Sequence, residues 1–451
     1  MTKRLLIRGG AIVGPNPRRG AIPAGDLLVE DGTIVAVAPR IEADAELIEA
    51  AGAIVMPGLV DAHRHLWYEV VRGMAMDSSL QALHREVWAK LAVRFTPDDV
   101  YVATRAGIVD ALNHGITTVL DWCHIINTPE HGEEAVRAHA GLPIRSVFAY
   151  GTSMHRRLEE LAGRPPARAE EDVARAYRSL LHGAREGMTF AVALQGPESA
   201  SLSRTRKELA AARDLGLAAT MHVGIQDGGR PRRSVARLGR AGLLADDLQF
   251  VHCCTTSAGE LRQIADAGAR IVFCPTAEMT LGIGVPPSGR ARERGLRPAL
   301  ATDAVCSASG DLFEEARLAL VVERALRGGG PARPDSGLAP PVPTAREALD
   351  GITLDAARAC WLDDRIGSLS IGKRADIVLL RGLDVGGVPA VELPAVIVGS
   401  AHGSNIDTVI VGGEIVKRNG RLLGIDRGRI RGALAASRER LFAEAGYPQL
   451  A

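Results

Sequence analysis

Two histidines one residue apart, His63 and His65, close an apolar run that reads Met-Pro-Gly-Leu-Val-Asp-Ala-His-Arg-His over 56–65. Side chains at i and i+2 of a strand share a face, so both imidazoles can grip one ion. Neutral imidazoles suit a borderline metal such as Zn²⁺, whose catalytic sites usually take three protein ligands and keep a place for water. The pair alone also arises by chance on surface strands, and its weight depends on what else reaches the same place. His222, His252 and Asp303 stand at the ends of later apolar runs. The chain has 12 histidines, and four of them at such ends make coincidence a poor explanation. Singly, His222 or His252 reads first as a core imidazole bonded to a backbone carbonyl, and Asp303, in Leu-Ala-Thr-Asp-Ala, can be a helix N-cap. Together they describe three imidazoles and a carboxylate around a metal, with a further imidazole beside the water.

Such a site needs strands that end at one rim. Besides the histidine run at 53–61, short apolar runs occur at 116–122, 144–151, 189–195, 217–223, 248–253, 269–275 and 297–303, each followed by a helix-compatible stretch. Buried parallel strands read as continuous apolar runs, and alternation with helices implies right-handed crossovers. Eight such units predict an α/β fold, a (β/α)₈ TIM barrel, whose catalytic groups sit at the C-terminal strand ends. An open doubly wound sheet is the alternative. Residues 80–93 carry helical spacing. Thr96-Pro97-Asp98-Asp99 supplies an N-cap, a proline at the first position and acids in the first turn, predicting a helix to about Asn113.

The flanks read differently. Runs at 5–13 and 26–37 between Gly, Pro and Asp turn signals predict short strands. Strand signals return at 375–380, 396–398 and 408–416, with Gly412-Gly413 as a hairpin turn, after a Gly-, Pro- and Arg-rich loop at 328–343 and a helix over 344–362. The expected organisation is a small β-sandwich domain formed from both termini, residues 1–55 and 365–451, around a barrel over 56–364. A charged helix over about 429–445 closes the chain.

Lys plus Arg (54) and Asp plus Glu (53) nearly cancel, so no electrostatic footprint for nucleic acid or an acidic membrane is expected. The six cysteines lack metal or disulfide spacing and read as reduced core residues of a cytoplasmic protein. The N-terminus lacks a signal peptide's apolar core and cleavage site, and no run of about 18 apolar residues occurs. The expected partner is a small-molecule substrate, with no membrane and no nucleic acid, in a homodimer or higher homo-oligomer.

The segments 57–65, the isolated His222, Val-His-Cys at 251–253, Ala-Thr-Asp at 301–303 and Gly-Ser-Leu-Ser-Ile-Gly-Lys-Arg-Ala-Asp-Ile-Val at 367–378 resemble the amidohydrolase superfamily, above all its cytosine deaminase and triazine chlorohydrolase branch. The resemblance implies one divalent metal ion, Zn²⁺ or alternatively Fe²⁺, with His63, His65, His222 and Asp303 as ligands. It implies that His252 orients the reacting water and that Asp303, ligand and base together, takes its proton. No lysine lies near Ala193-Leu194-Gln195-Gly196, so the bridging carboxylated lysine of two-metal branches is not expected.

Three departures stand out. Deaminases of this branch usually carry a Glu three residues after the strand-five histidine, where this chain has Ile225, followed by Gln226, which cannot titrate, and by Asp227 further along the loop. Where relatives read Pro-Ser-Ser-Asn after strand seven, this chain reads Pro275-Thr276-Ala277-Glu278. Glu278 is therefore a candidate to supply the missing acid/base or to pair with a cationic substrate nitrogen; capping a turn or facing solvent is the ordinary reading. After His252 stands Cys253-Cys254-Thr255-Thr256, where relatives often carry a second histidine. Gln195, Trp67 and Gln226 are the candidate substrate contacts, with Trp122, His84 and His124 also near strand ends. For the rings and Gln195, packing is the competing role.

The resulting expectation is a metal-dependent hydrolase acting on non-peptide C–N bonds of a nitrogen heterocycle, cyclic amide or amidine. The alternatives are a hydrolytic dechlorinase, a metal-dependent lyase or cyclase, or a non-catalytic binding protein on the same barrel. Absence of Gly-x-Gly-x-x-Gly after the first strand disfavours a Rossmann oxidoreductase.

Overall fold

The eight apolar runs form eight parallel strands: Leu59–Arg64, Ile116–Ile126, Arg145–Thr152, Met188–Leu194, Ala218–Val223, Leu248–His252, Arg270–Phe273 and Ala299–Leu300. The computed structural model describes residues 3–14, 21–152, 169–226, 231–326, 343–383 and 392–448. Each strand pairs parallel with the next, with register shifts in the pairings of the second strand with the first and the third. A parallel bridge between Arg64 and Asp303 closes the ring. The barrel interior explains the composition of the runs: Val60, Ala62, Ala149, Ala193, Val251 and Ala299 belong to one cluster drawn from seven strands. Small and β-branched side chains fill a narrow barrel without voids. The eighth strand is shorter than the run at 297–303 because Thr302 gives its amide to the buried Asp61 carboxylate (3.0 Å) and its hydroxyl to the other oxygen (2.6 Å).

The helix predicted after Thr96 spans Pro97–Asn113 and begins with a capping box, in which the Asp99 carboxylate accepts from the Thr96 amide (2.7 Å). The stretch at 80–93 is a composite: a single turn Leu80–Leu83, a π-helix His84–Leu91 and a 3₁₀ turn Ala92–Arg94. The helix expected over 344–362 is two, Ala345–Gly351 and Leu354–Ala359, broken where Thr353 leaves helical dihedrals and its hydroxyl bonds back to Leu349 O (2.8 Å). The strand signal at 396–398 is corrected to a helix, Leu393–Ser400, with Pro394 in its first turn, packed on Ala345–Gly351 and Leu312–Leu326. A short apolar run has no period that separates a buried strand from a buried helix.

Both ends of the chain meet in a second sheet of nine strands, mostly antiparallel, in which Ile54–Pro57 joins Arg4–Ile12 to Ile377–Leu380. Met56 and Pro57 therefore pair in this sheet, two residues beyond the boundary expected at 55. Its two halves share one core, including Leu5, Ile7, Val29, Ile377 and Ile410. Gly412 and Gly413 turn the hairpin between Ile406–Val411 and Glu414–Arg418 at φ 56° and 84°, left-handed values that glycine adopts without strain. The terminal helix spans Arg427–Glu444 and packs on the barrel helix Pro97–Asn113. All six cysteines are free and buried. Among the described residues no helix is long and apolar enough to cross a membrane. Most of the loop at 328–343, and Asp227, lie outside the described residues.

Candidate metal centre

The closure of the barrel is also what assembles the site. The His65 amide donates to Asp303 O (2.8 Å) and the Asp303 amide to His63 O (3.0 Å), so the first and eighth strands are locked at the residues that carry the candidate ligands. Between the two histidines, Arg64 turns away and is buried against Asp110 (2.7 Å) and Glu69 (3.1 Å). Fixing the intervening residue fixes the two rings beside it. Asp303 and His252 sit at φ 58° and 74°. Non-glycine residues adopt such values at a cost, and strained ones of this kind cluster at functional sites. Gly224, two residues after His222, is needed for the same tight junction, because a Cβ there would lie 2.6 Å from Thr256 Oγ1 and 2.9 Å from Cys253 Cα.

His63, His65 and His222 bring their ligand nitrogens within 4.8 Å of one another. The Nε2 atoms of His63 and His222 face each other at 3.2 Å, and Asp303 Oδ1 lies 3.5 Å from His63 Nε2 and 3.4 Å from His65 Nε2. The His65 Nδ1–H donates to Trp122 O (2.7 Å), which leaves the Nε2 lone pair toward the same point. Burial first, then the neighbouring histidines, holds His65 and His222 well below the ordinary histidine range, in the neutral form that binds metals. For Asp303, burial pushes the carboxyl up, but the hydrogen bond from His63 and the charges of His252, His63 and His65 outweigh it and hold it down as a carboxylate. Three imidazoles and one carboxylate converging on one point fit a divalent ion of the zinc type.

His252 stacks on His222, ring centroids 5.2 Å apart, and bonds through Nδ1 to Glu278 Oε1 (3.1 Å). That oxygen also accepts from the Cys274 amide (2.9 Å), while Oε2 is buried with no partner among the described residues. Glu278 is 0% exposed and does not line the pocket. The candidate role of Glu278 as an acid/base touching the substrate therefore shifts: it stands behind His252, not in front of it. Desolvation opposes a charged His252, but the bond to Glu278 and the charge of Asp303 outweigh it and raise the imidazole above its ordinary value. Burial likewise raises Glu278.

The pocket above these groups is lined by His65, Trp122, His222, His252 and Asp303, and by His84, Trp88, Tyr68, Gln195 and Ile225 among others. Ile225 thus stands in the pocket wall, and Asp303 is the one carboxylate among the described lining residues. Gln195, Trp122 and His124 each carry a buried polar nitrogen with no partner among the described residues. Burial and the nearby histidines draw His124 down to about 3, so it is a neutral hydrogen-bonding ring at physiological pH. Two of the sequence candidates stand elsewhere. Trp67 is packed in an apolar cluster, stacked on Tyr68 at 4.1 Å, and Gln226 is exposed, its backbone N–H donating to Ile283 O (2.9 Å). Sequence reasoning missed Tyr68 and Trp88. The signal for Trp88 was its place four residues after His84, since the two rings stack at 3.9 Å.

Residues 54–416 match the model of the Amidohydrolase family. A 5-methylthioadenosine/S-adenosylhomocysteine deaminase from Desulforudis audaxviator is 30% identical over 442 residues, spanning 94% of this chain and 95% of that protein. A 5'-deoxyadenosine deaminase from Methanosarcina mazei is 25% identical, spanning 94% and 95%. Among solved structures, an adenosine deaminase from Xanthomonas campestris with bound zinc superposes at TM-score 0.81 with 24% identity, covering 97% of this chain and 98% of that one. Atrazine chlorohydrolase from Arthrobacter aurescens, complexed with zinc, does so at 0.82 with 22% identity, covering 96% and 100%. At these identities the two structures speak to the fold.

Proposed function

We propose, because this chain belongs to the amidohydrolase family and is a hydrolase of carbon–nitrogen bonds in nitrogen heterocycles, that it removes an exocyclic amino group from a planar aminopurine-type ring. The reading rests on one observation above all: His63, His65, His222 and Asp303 converge beside His252 under an aromatic pocket. We read these four residues as ligands of a single zinc ion. When bound, such an ion supplies Lewis acidity and brings the pKa of a water from 15.7 to about 7. The buried thiols support a reducing, cytoplasmic setting.

The chain's own groups then divide the work. Asp303 is held as a carboxylate and takes the proton of the attacking water. His252 has its Nδ1 committed to Glu278, so Nε2 is the nitrogen left for the site, where it donates to the oxygen that gains charge during attack. With Ile225 in the wall, the protonated Asp303 is the lining carboxyl that can hand its proton to the leaving nitrogen. Trp122 and the His84–Trp88 stack offer flat faces to the ring, and the unpartnered nitrogens of Trp122 and Gln195 offer donors to its ring nitrogens.

Ile225 favours one second reading, the displacement of chloride from a ring, since that leaving group needs no acid. The test is a panel of adenine nucleosides, aminopyrimidines, amino- and chlorotriazines and cyclic amides offered to zinc-loaded protein. Ammonia release from an adenine-type compound is the expected result. Chloride release alone selects the second reading, and ring opening of a cyclic amide alone overturns both.

A further inference from the structure

The pocket wall made by residues 80–94 is unlike the rest of the barrel. Its central segment, His84–Leu91, is a π-helix, a rare form that concentrates at functional sites. The wide turn sets His84 and Trp88 face to face at 3.9 Å, and the Trp88 indole N–H donates to the Tyr68 hydroxyl; all three residues line the pocket. The wall is tied to the barrel loops by the Leu80 amide on Leu281 O (2.9 Å) and by the Asn127 side-chain amide on Ala92 O (2.9 Å).

The outer side of the wall is held from the far end of the chain. The Tyr447 hydroxyl donates to Glu86 Oε2 (2.9 Å), and the Lys90 ammonium lies 5.6 Å from the centre of the Tyr447 ring while donating to Glu86 Oε2 (2.6 Å). Arg94 Nε donates to Glu444 O (3.0 Å). The terminal helix is itself pinned to the barrel, because the Ser437 hydroxyl donates to Asp99 Oδ1 (2.6 Å) and Arg440 pairs with the same carboxylate. Leu441 and Phe442 are buried in the apolar cluster that also holds Val87 and Leu91. Hydrogen bonds from Lys90, Arg85 and Tyr447 hold the Glu86 carboxyl down at about 2, consistent with its place at the centre of the clasp.

We propose that the terminal helix and Tyr447 act as a clasp that sets the position of the His84–Trp88 wall, and so select which rings the pocket admits. Tyr447 and Glu86 are positioning residues in this account, since neither lines the pocket. The selection half rests on the reading of that pocket as the ring-binding site; the clasp itself does not. Tyr447→Phe removes the hydroxyl and keeps the ring, and Glu86→Gln removes the acceptor's charge, so both leave the fold largely intact. In zinc-loaded protein, Tyr447→Phe is expected to speed amide hydrogen exchange across 84–91 about tenfold, with no change at Leu59–Arg64 and the metal content unchanged. The double variant with Glu86→Gln should add little beyond either single one. On the substrate found by the panel, KM is expected to rise about fivefold with kcat nearly constant. Unchanged exchange over 84–91, or additive effects, overturns the clasp. Faster exchange with an unaltered KM overturns its role in selection. If no heterocycle is turned over, the proposed function fails, while exchange still decides the clasp.

Discussion

Replacing Asp303 by asparagine will lower kcat about ten-thousandfold, the upper end of what a positioned general base contributes. The substitution keeps the shape, and the backbone bonds that close the barrel, His65 N–H to Asp303 O and Asp303 N–H to His63 O, do not involve the side chain. What it removes is the negative charge that lies 3.4 and 3.5 Å from two imidazoles and, among the described lining residues, the one carboxyl to which the proposed function gives the proton's path from water to leaving group. On the proposed function, a single loss therefore strikes proton uptake, proton delivery and part of the ligand field together. The measurement is kcat on the substrate found by the panel, with circular dichroism to confirm the fold. Activity within tenfold of the native enzyme would remove Asp303 from the chemistry.

The second large effect is expected at a residue that touches no substrate. Glu278 holds His252 Nδ1 from behind, fixing the ring's orientation and favouring its protonated form. Supporting groups of this kind typically account for ten- to a hundredfold, so Glu278→Gln should lower kcat by about a hundredfold and leave KM within about threefold. The pH profile gives the sign. In the native enzyme the raised His252 pKa keeps the imidazole protonated to higher pH, so activity that needs its proton is lost only as pH rises through that value. Without the carboxylate the value drops, and the alkaline limb of kcat must move to lower pH. A limb that stays put, or moves up, contradicts the assignment. Were Glu278 an acid acting on substrate directly, KM would change as well.

The convergence of His63, His65, His222 and Asp303 was legible in the sequence because these residues stand at strand ends, and strand ends follow from the apolar runs. His63 and His65 share a face by periodicity alone, and the barrel's closure brings Asp303 to them. The proton side was not legible. Whether Glu278 faces the pocket or the back of His252 depends on how the loop after Arg270–Phe273 turns, 26 residues away from its partner, and no local pattern reports that. Trp67 and Trp88 look alike in sequence, yet one is core and the other pocket wall, since a π-helix changes which residues share a face. The helix at Leu393–Ser400 was hidden for a related reason: an apolar run buried among helices carries no period. The clasp of the terminal helix on residues 84–94 joins positions some 350 residues apart and is a purely tertiary fact.

The central claim is that His63, His65, His222 and Asp303 hold one divalent ion. Elemental analysis of protein purified after zinc-replete expression, beside the His63→Ala/His65→Ala double variant, tests it most directly. The account predicts about one zinc per chain in the native protein and nearly none in the folded variant. A native protein that retains no divalent metal, or a double variant that keeps a full complement, would contradict it.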